Sequence, residues 1–313
     1  MFSFKGEIIL SKSWLNRAQV ISHFNPRLKL NSISKSEDVI HLHNAIKNVG
    51  LASVFDIGQG GTTLRFFIFL ISRYKGEWTL KVHPSLLARP QHPLLDVLRQ
   101  LGVNCHIGSD TIKVTSRGWI FNEPIVVPAN FSSQFVSGLL LSCWGLDKDI
   151  EIRIPKPISS SDYLKMTTTL LQKCGMQFET IENEKHINFS VPRLQHSMVS
   201  SFYPEPDVSS AFSLLAAAVV AGEAEITNWQ TQSTQPDIVF LDIFSRMQIK
   251  YQESSHSIKV AKHNSWNAVS VSLENSPDLF PVLAALCAFA DGESKLIGAS
   301  HLIHKESNRI SKT

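Results

Sequence analysis

The sequence predicts an α/β fold assembled from a repeated supersecondary unit, and three observations carry that prediction. The first is the stretch Gly58 to Arg65, GQGGTTLR, a glycine-rich turn that runs straight into the apolar run FFIFLIS at Phe66 to Ser72. Converging backbone N–H groups and the hydroxyls of Thr62 and Thr63, read as caps, make such a helix start a natural anion cradle. The second is recurrence: a cluster of Ser, Thr, Gly or Asp opening a short apolar helix appears five times. The third is spacing. Leu64, Phe135, Phe212 and Phe280 follow one another at about seventy residues, and each full unit reads strand, helix, strand, helix, strand, strand.

Unit one opens with a strand at Gly6 to Leu10, turns at Ser11, Lys12 and Ser13, and continues as a helix at Trp14 to Phe24 and a strand near Leu28 to Ser32. Its second helix starts behind Ser36, carries Val39, Ile40, Leu42 and Ile46 on one face and stops at Gly50, with no closing strands before Phe55. Unit two follows GQGGTTLR with a strand at Glu77 to Val82, the helix HPLLDVLRQLGV ending at Gly102, and strands at Asn104 to Ile107 and Thr111 to Thr115. Unit three begins at NFSSQFVSGLLLSCWG and continues with a strand at Ile150 to Ile154, a helix capped by Ser161 or Asp162, and strands at Gln177 to Ile181 and His186 to Val191. In unit four, DVSSAFSLLAAAVVAG leads to a strand at Glu223 to Asn228, a helix with Pro236 in its first turn, and strands at Gln248 to Gln252 and Ser257 to Ala261. Unit five, SPDLFPVLAALCAFADG, continues with a strand at Ser294 to Ile297 and reaches HKESNRISKT. The first helix of each unit is apolar nearly all round and is expected to be buried; the second is amphipathic.

Length and composition bound the function. At 313 residues and 43% hydrophobic content the chain is long enough for two cores. A net charge of +3 without a basic run or an RNA-binding aromatic signature argues against nucleic acid as a partner. Cys105, Cys143, Cys174 and Cys287 lie far apart without CxxC spacing, as reduced packing residues of a cytosolic protein would, and no metal or other cofactor is expected. His41 and His43, two apart on a helix, face different sides and cannot share a metal. The N-terminal stretch lacks a signal-peptide core, and the longest apolar run, Leu279 to Ala290, is too short for a membrane span. The expectation is a cytoplasmic, monomeric protein.

Parallel first helices would aim their N-termini at one region, each contributing about 0.3–1 kcal/mol toward an anion. Lys12, Arg17, Arg65 and Arg89 sit at or near such helix starts, which points to a ligand rich in phosphates and carboxylates.

Seven motifs in order carry a family resemblance: SKSWLNRA (Ser11 to Ala18), GQGGTTLR, LLARPQHPLLDVLRQLG, SSQF (Ser132 to Phe135), DVSSA (Asp207 to Ala211), PDLFP (Pro277 to Pro281) and HKESNR (His304 to Arg309). In these the chain resembles the 5-enolpyruvylshikimate-3-phosphate (EPSP) synthases of the enolpyruvyl transferase family, end to end. SKS with NRA separates it from the sister UDP-N-acetylglucosamine enolpyruvyl transferases, whose segment is built on a Lys-Asn pair. The resemblance implies an inverse α/β barrel of two domains, each of three βαβαββ units, that close on their substrates. Here it implies one domain at residues 14–203, on the shikimate phosphate side, and a second, incomplete one from residues 1–13 and 204–313.

The implied reaction moves the enolpyruvyl group of phosphoenolpyruvate to the 5-hydroxyl of shikimate 3-phosphate, on the way to chorismate and aromatic amino acids. By resemblance, Ser13, Arg17, Ser132, Ser133, Gln134, Ser160, Tyr163, Asp278 and Lys305 hold shikimate 3-phosphate. Lys12, Gly61, Arg89, Gln134 and Arg309 receive phosphoenolpyruvate. Asp278 orients or deprotonates the hydroxyl, Glu306 exchanges a proton with the methylene carbon, and Lys12 joins them as a catalytic residue. Plainer readings stand beside these: Asp278 as cap of a helix from Leu279, Lys305 and Glu306 as a solvated turn, Ser132 and Ser133 as caps, Arg89 as a surface charge.

The chain departs from the family pattern at several positions. Family members usually carry a basic residue at Ser85, Lys or Arg then Glu or Gln at Leu87 and Ala88, Pro at Phe66, Arg at Ile303 and Asp at Asn308. The family's SKPY is here Ser160, Ser161, Asp162, Tyr163. The family's DHR motif and late catalytic lysine have no counterpart, so the expectation is a member shortened by its last unit. A homologue that binds a phosphorylated ligand without turnover, or an interaction protein on the same scaffold, are the alternatives.

Overall fold

Alternation of apolar and polar residues in FSFKG forms the first strand, β1 (Phe2–Gly6), earlier than the strand expected at Gly6 to Leu10. Its register explains the shift. Phe2–Gly6 pairs in parallel with Gly222–Ile226, whereas Leu10 makes only an isolated bridge to Pro206. The pairing needs glycine at Gly222, where a Cβ would fall 1.7 Å from the Phe2 carbonyl oxygen. The computed structural model describes residues 2–30, 34–193, 203–304 and 307–313. They form two compact units, Lys12–Tyr203 and Met1–Ser11 with Pro204–Thr313.

The first of these units contains α1 (Lys12–Phe24), α2 (Glu37–Lys47), β2 (Val54–Gly58), α3 (Gly61–Ser72), β3 (Lys75–Val82), α4 (Pro84–Leu87), α5 (His92–Gln100), β4 (Asn104–Ile107) and β5 (Thr111–Arg117). It continues with β6 (Ile125–Val126), α6 (Gln134–Leu141), β7 (Ile150–Pro155), α7 (Ser161–Lys173), β8 (Glu179–Glu182) and β9 (His186–Val191). One sheet has the order β2-β3-β5-β4, the other β6-β7-β9-β8. In both, the first pair is parallel and the next two are antiparallel. The strand β2 stands immediately ahead of the glycine-rich turn, where no strand is expected from the sequence: Phe55 and Ile57 point inward and Val54 and Asp56 outward. No strand forms at Leu28 to Leu30; the rest of that expected strand lies outside the described residues.

Helices α3 and α6 are buried almost all round, as their lack of a polar face requires. They pack on each other, and α3 also packs on α1 and α2. Phe66, Phe67, Ile68, Phe69 and Leu70 are fully buried in succession, each worth about 1.5–3 kcal/mol of burial. The closest approach is at Gly138, where a Cβ would lie 2.7 Å from the Arg65 carbonyl oxygen and 2.8 Å from the Phe69 ring. Only glycine fits there without moving a helix.

The second unit adds α8 (Val208–Ala221), β10 (Gly222–Ile226), α9 (Phe240–Arg246), β11 (Tyr251–Glu253), β12 (Ile258–Ala261), β13 (Ser270–Ser272), α10 (Phe280–Cys287), β14 (Lys295–Ile297) and α11 (Arg309–Lys312). Short 3₁₀ turns at Pro236–Val239 and Pro277–Leu279 lead into α9 and α10. Its four-stranded sheet, β1-β10-β12-β11, again joins one parallel pair to two antiparallel ones. A separate parallel pair joins β13 to β14. Asp207 caps α8 by accepting from the Ser210 N–H at 2.8 Å. The core gathers Phe212, Trp229, Phe240 and Phe244 around α8 and α9. Helix α10 departs from the expected all-round burial: of its eight residues only Leu283 and Leu286 are buried.

Candidate functional site

In the Lys12–Tyr203 unit the starts of α3, α6 and α7 are tied together by side chains that leave α1 and α3, and the ties are polar. Arg17, on the buried α1, donates from Nε to Thr167 Oγ1 at 2.8 Å, from Nη1 to the Ser13 carbonyl at 2.7 Å and from Nη2 to the Tyr163 carbonyl at 3.1 Å. Its guanidinium lies 5.4 Å from the Phe66 ring centroid and 5.9 Å from that of Tyr163. Phe66, where family members usually have proline, thus supplies one face of the arginine's slot. Burial pushes the Arg17 pKa down to about 10, against the opposing pull of Tyr163.

Arg65 is the second buried cation. It donates from Nη1 to Gln134 Oε1 at 2.5 Å and approaches Ser132 Oγ at 3.4 Å, with its guanidinium 4.9 Å from the Phe135 ring centroid. Burial first, then the neighbouring charge of Arg89, lowers its pKa to about 10. Gln134 donates onward from Nε2 to Thr62 Oγ1 at 3.0 Å. A Cβ on Gly61 would be 3.4 Å from Nη1 of both Arg65 and Arg89 and 3.6 Å from Gln134 Oε1. Gly61, Arg65, Arg89, Gln134 and Thr62 therefore surround one point. Ser133 Oγ donates to the Ser160 carbonyl at 3.0 Å, joining α6 to the left-handed residue that precedes α7.

Several of the plainer readings do not survive. Thr62 and Thr63 lie inside α3, behind Gly60, and cap nothing: Thr63 donates to the Asp38 carbonyl. Neither Ser161 nor Asp162 precedes α7; Ser160 does, without a side-chain cap bond. Of the two serines read as caps, Ser132 behaves as one, its Oγ accepting from the Gln134 N–H at the start of α6 at 3.2 Å, while Ser133 makes no cap. Arg89 is half-buried rather than a surface charge. Lys12 lies at the start of α1 in an ion pair with Asp38 at 3.0 Å. A cavity of about 290 Å³ beside the glycine-rich turn is lined by Glu37, Asp38, His41, Asp56, Gly58, Gln59 and His83. Three carboxylates give it the wrong sign for a phosphate.

In the other unit Asp278 sits in the 3₁₀ turn before α10, where it accepts from Arg309 Nη1 at 2.8 Å rather than capping a helix. Asn308 caps the short α11 through the Ser311 N–H at 3.2 Å. Lys305 and Glu306 lie outside the described residues. Elsewhere, Ser85 Oγ is 2.7 Å from His83 Nδ1. Burial raises the thiol pKa of Cys105, Cys143 and Cys174 to about 12 and that of Cys287 in the same direction, so none is a ready thiolate. Among the described residues no helix is long and apolar enough to cross a membrane.

From the sequence, Arg65 stands only among the clustered cations, with no ligand role, Thr62 only as a cap in the glycine-rich cradle, and Thr167 is not singled out at all. One signal was available: Arg65 is the sole charge in GTTLRFFIFLIS, and a lone charge in a helix buried all round requires a partner.

The EPSP synthase (3-phosphoshikimate 1-carboxyvinyltransferase) sequence profile matches residues 24–313. The chain belongs to the EPSP synthase family. It is 32% identical over 261 residues to a 3-phosphoshikimate 1-carboxyvinyltransferase of Methanocorpusculum labreanum, covering 83% of this chain and 61% of that one. It is 29% identical over 309 residues to the enzyme of that name from Nitrosopumilus maritimus, covering 98% of this chain and 71% of that one. The chain therefore spans 61% of the length of the first relative and 71% of the second. Among solved structures it is similar to the EPSP synthase of Acinetobacter baumannii, with a TM-score of 0.70 at 19% identity over 99% of this chain and 76% of that one. The enolpyruvyl transferase NikO of Streptomyces tendae gives 0.64 at 13% identity, over 95% and 74% of the two chains. At these identities the solved structures speak for the α/β enolpyruvyl transferase fold alone.

Proposed function

We propose that this member of the EPSP synthase family transfers the enolpyruvyl group of phosphoenolpyruvate to the 5-hydroxyl of shikimate 3-phosphate, as a cytosolic monomer. The observation that carries the reading is the pair of buried guanidiniums, Arg17 and Arg65, whose hydrogen bonds among the described residues all end on neutral oxygens. A buried cation without a counter-charge is costly, and a polyanionic ligand at the same helix starts offsets that cost.

In this reading Ser13, Arg17, Ser132, Ser133, Gln134, Ser160, Tyr163 and Lys305 hold shikimate 3-phosphate, while Lys12, Gly61, Arg89, Gln134 and Arg309 receive phosphoenolpyruvate. Arg65 joins the second group by holding Gln134 and by its charge. Asp278 takes the proton of the attacking 5-hydroxyl as its oxygen bonds to C2 of phosphoenolpyruvate, and Glu306 gives a proton to the methylene carbon. The tetrahedral intermediate then collapses: the C–O bond to phosphate breaks, and Glu306 takes a proton back from the methyl group. Arginine forks suit the carboxylate and phosphate whose charge persists throughout.

Phosphate release from the two substrates together, compared with release from either alone, tests the reaction. Binding of shikimate 3-phosphate by calorimetry, weakened in Arg17→Ala, tests the site. Binding without release leaves a ligand-binding homologue; absence of both removes the reading.

A further inference from the structure

Thr167 stands in the middle of α7, the first of three consecutive threonines in an amphipathic helix. The structure gives it a different standing. Thr167 is fully buried, and its single hydroxyl lies at the meeting point of three helices. It accepts from Arg17 Nε of α1 at 2.8 Å. It lies 2.8 Å from Ser137 Oγ of α6, itself fully buried, and 2.9 Å from the Tyr163 carbonyl one turn earlier in α7. A hydroxyl has one proton and two lone pairs, so the Arg17 bond uses an acceptor position while the proton goes to Tyr163 or Ser137. The bond back to the preceding turn selects the side-chain rotamer and hence where the acceptor stands.

We infer that Thr167 is a positioning residue for the anion site, setting the orientation of the Arg17 guanidinium by holding its Nε. This rests on the proposed reading that Arg17 takes shikimate 3-phosphate. Nη1 and Nη2 each spend one N–H on a carbonyl, Ser13 and Tyr163, which leaves each with one N–H for a ligand. The rings of Phe66 and Tyr163 restrict the plane of the fork, but a plane can still rotate within itself. The Nε bond to Thr167, the only one of the three made to a side chain, joins the two carbonyl bonds in removing that freedom. The same hydroxyl couples α7 and α6, the helices that begin beside Ser160 and at Gln134, so the fork and those helix starts keep one spacing.

Two variants of the full chain separate positioning from packing. Thr167→Val keeps the shape and loses the hydroxyl; Thr167→Ser keeps the hydroxyl and loses a methyl group. Calorimetric titration with shikimate 3-phosphate should show binding about tenfold or more weaker in Thr167→Val, as loss of a charge-assisted bond implies, with near wild-type affinity in Thr167→Ser. Side-chain proton–nitrogen NMR supplies a readout that needs no ligand. The Arg17 Nε–H signal, assigned by its loss in Arg17→Lys, should shift or broaden in Thr167→Val and return in Thr167→Ser. Unchanged affinity and an unchanged Nε–H signal in Thr167→Val overturn the inference, as does weakened binding that Thr167→Ser fails to restore. A wild-type chain that binds no shikimate 3-phosphate sinks the ligand reading instead, and the NMR signal then decides whether Thr167 holds Arg17.

Discussion

Arg65 Nη1 reaches Gln134 Oε1 at 2.5 Å, and that bond fixes which end of the Gln134 amide is which. With the oxygen taken by a cation, the nitrogen points its donors the other way, one of them to Thr62 Oγ1. Oε1 is the end that faces Gly61, 3.6 Å from where a Cβ there would stand, and one N–H of Nε2 remains for a ligand. Gln134→Glu replaces that donor with a carboxylate that forms an ion pair with Arg65 and repels an anion. The expected result is a folded protein whose affinity for shikimate 3-phosphate or phosphoenolpyruvate is reduced by about 1.5–3 kcal/mol. Calorimetry on wild type and variant measures it, and equal affinities would show that the Arg65–Gln134 bond has no bearing on ligand binding.

Gly61 offers a second, narrower test. A methyl group there would touch Nη1 of both Arg65 and Arg89 at 3.4 Å, tight for a carbon against a cation and its hydration. Gly61→Ala should therefore weaken phosphoenolpyruvate far more than shikimate 3-phosphate, with overpacking costing about 1–3 kcal/mol. Separate titrations of the two ligands distinguish this from a general loss of fold, in which both fall together.

How far these contacts could be read in advance depends on what enforces each one. The strands β4 and β9 stand at the expected residues, Asn104–Ile107 and His186–Val191, because tight turns and strict alternation leave one register. The strand β1 stands earlier than expected because both the alternating FSFKG and the apolar run Ile8 to Leu10 after it suit a strand, and only pairing with Gly222–Ile226 selects between them. The three-residue strand β13 gives too short a pattern to recognise, and α4 is a single turn. At the site, motif residues such as Arg17 and Gln134 were legible, but their partners were not. Thr167 lies 150 positions from Arg17, and nothing local in a threonine marks it as the acceptor for a buried guanidinium.

His23 predicts a pH dependence. Its ring meets Phe24 and Tyr74 edge-on, with Nε2 2.8 Å from the Tyr74 hydroxyl. Burial, and then the charge of Arg73, lower its pKa below the ordinary 6.5. A histidine depressed in the folded state binds its proton more readily when unfolded, so its contribution to stability is full above about 6.5 and is lost as the pH falls through that value. His23→Gln removes this term. Denaturant midpoints measured between pH 8 and pH 5 should fall less steeply for the variant, and parallel curves would refute the assignment.

The pair Asp278 and Arg309 allows stability and chemistry to be separated. The two side chains are 33% and 21% exposed and meet at 2.8 Å, so water screens much of their attraction. A pair of this kind contributes about 1 kcal/mol or less, and Asp278→Asn should unfold at nearly the wild-type denaturant concentration. Its effect on turnover is expected to be of another size. Under the proposed reaction the carboxylate takes the proton of the attacking hydroxyl, and an amide cannot. Arg309, now clasped by Asp278, is also the group that would bind the incoming carboxylate of phosphoenolpyruvate, so binding competes for the same guanidinium and releases Asp278 to face the alcohol. Asp278→Asn should then bind phosphoenolpyruvate no more weakly than wild type, because Arg309 has lost a competing anion, while phosphate release slows by about two to three powers of ten. Phosphate release, phosphoenolpyruvate affinity and the unfolding midpoint, measured together on both proteins, give three numbers expected to move in different ways. A variant that turns over normally would remove Asp278 from the chemistry, and one that unfolds early would make the pair a structural clasp.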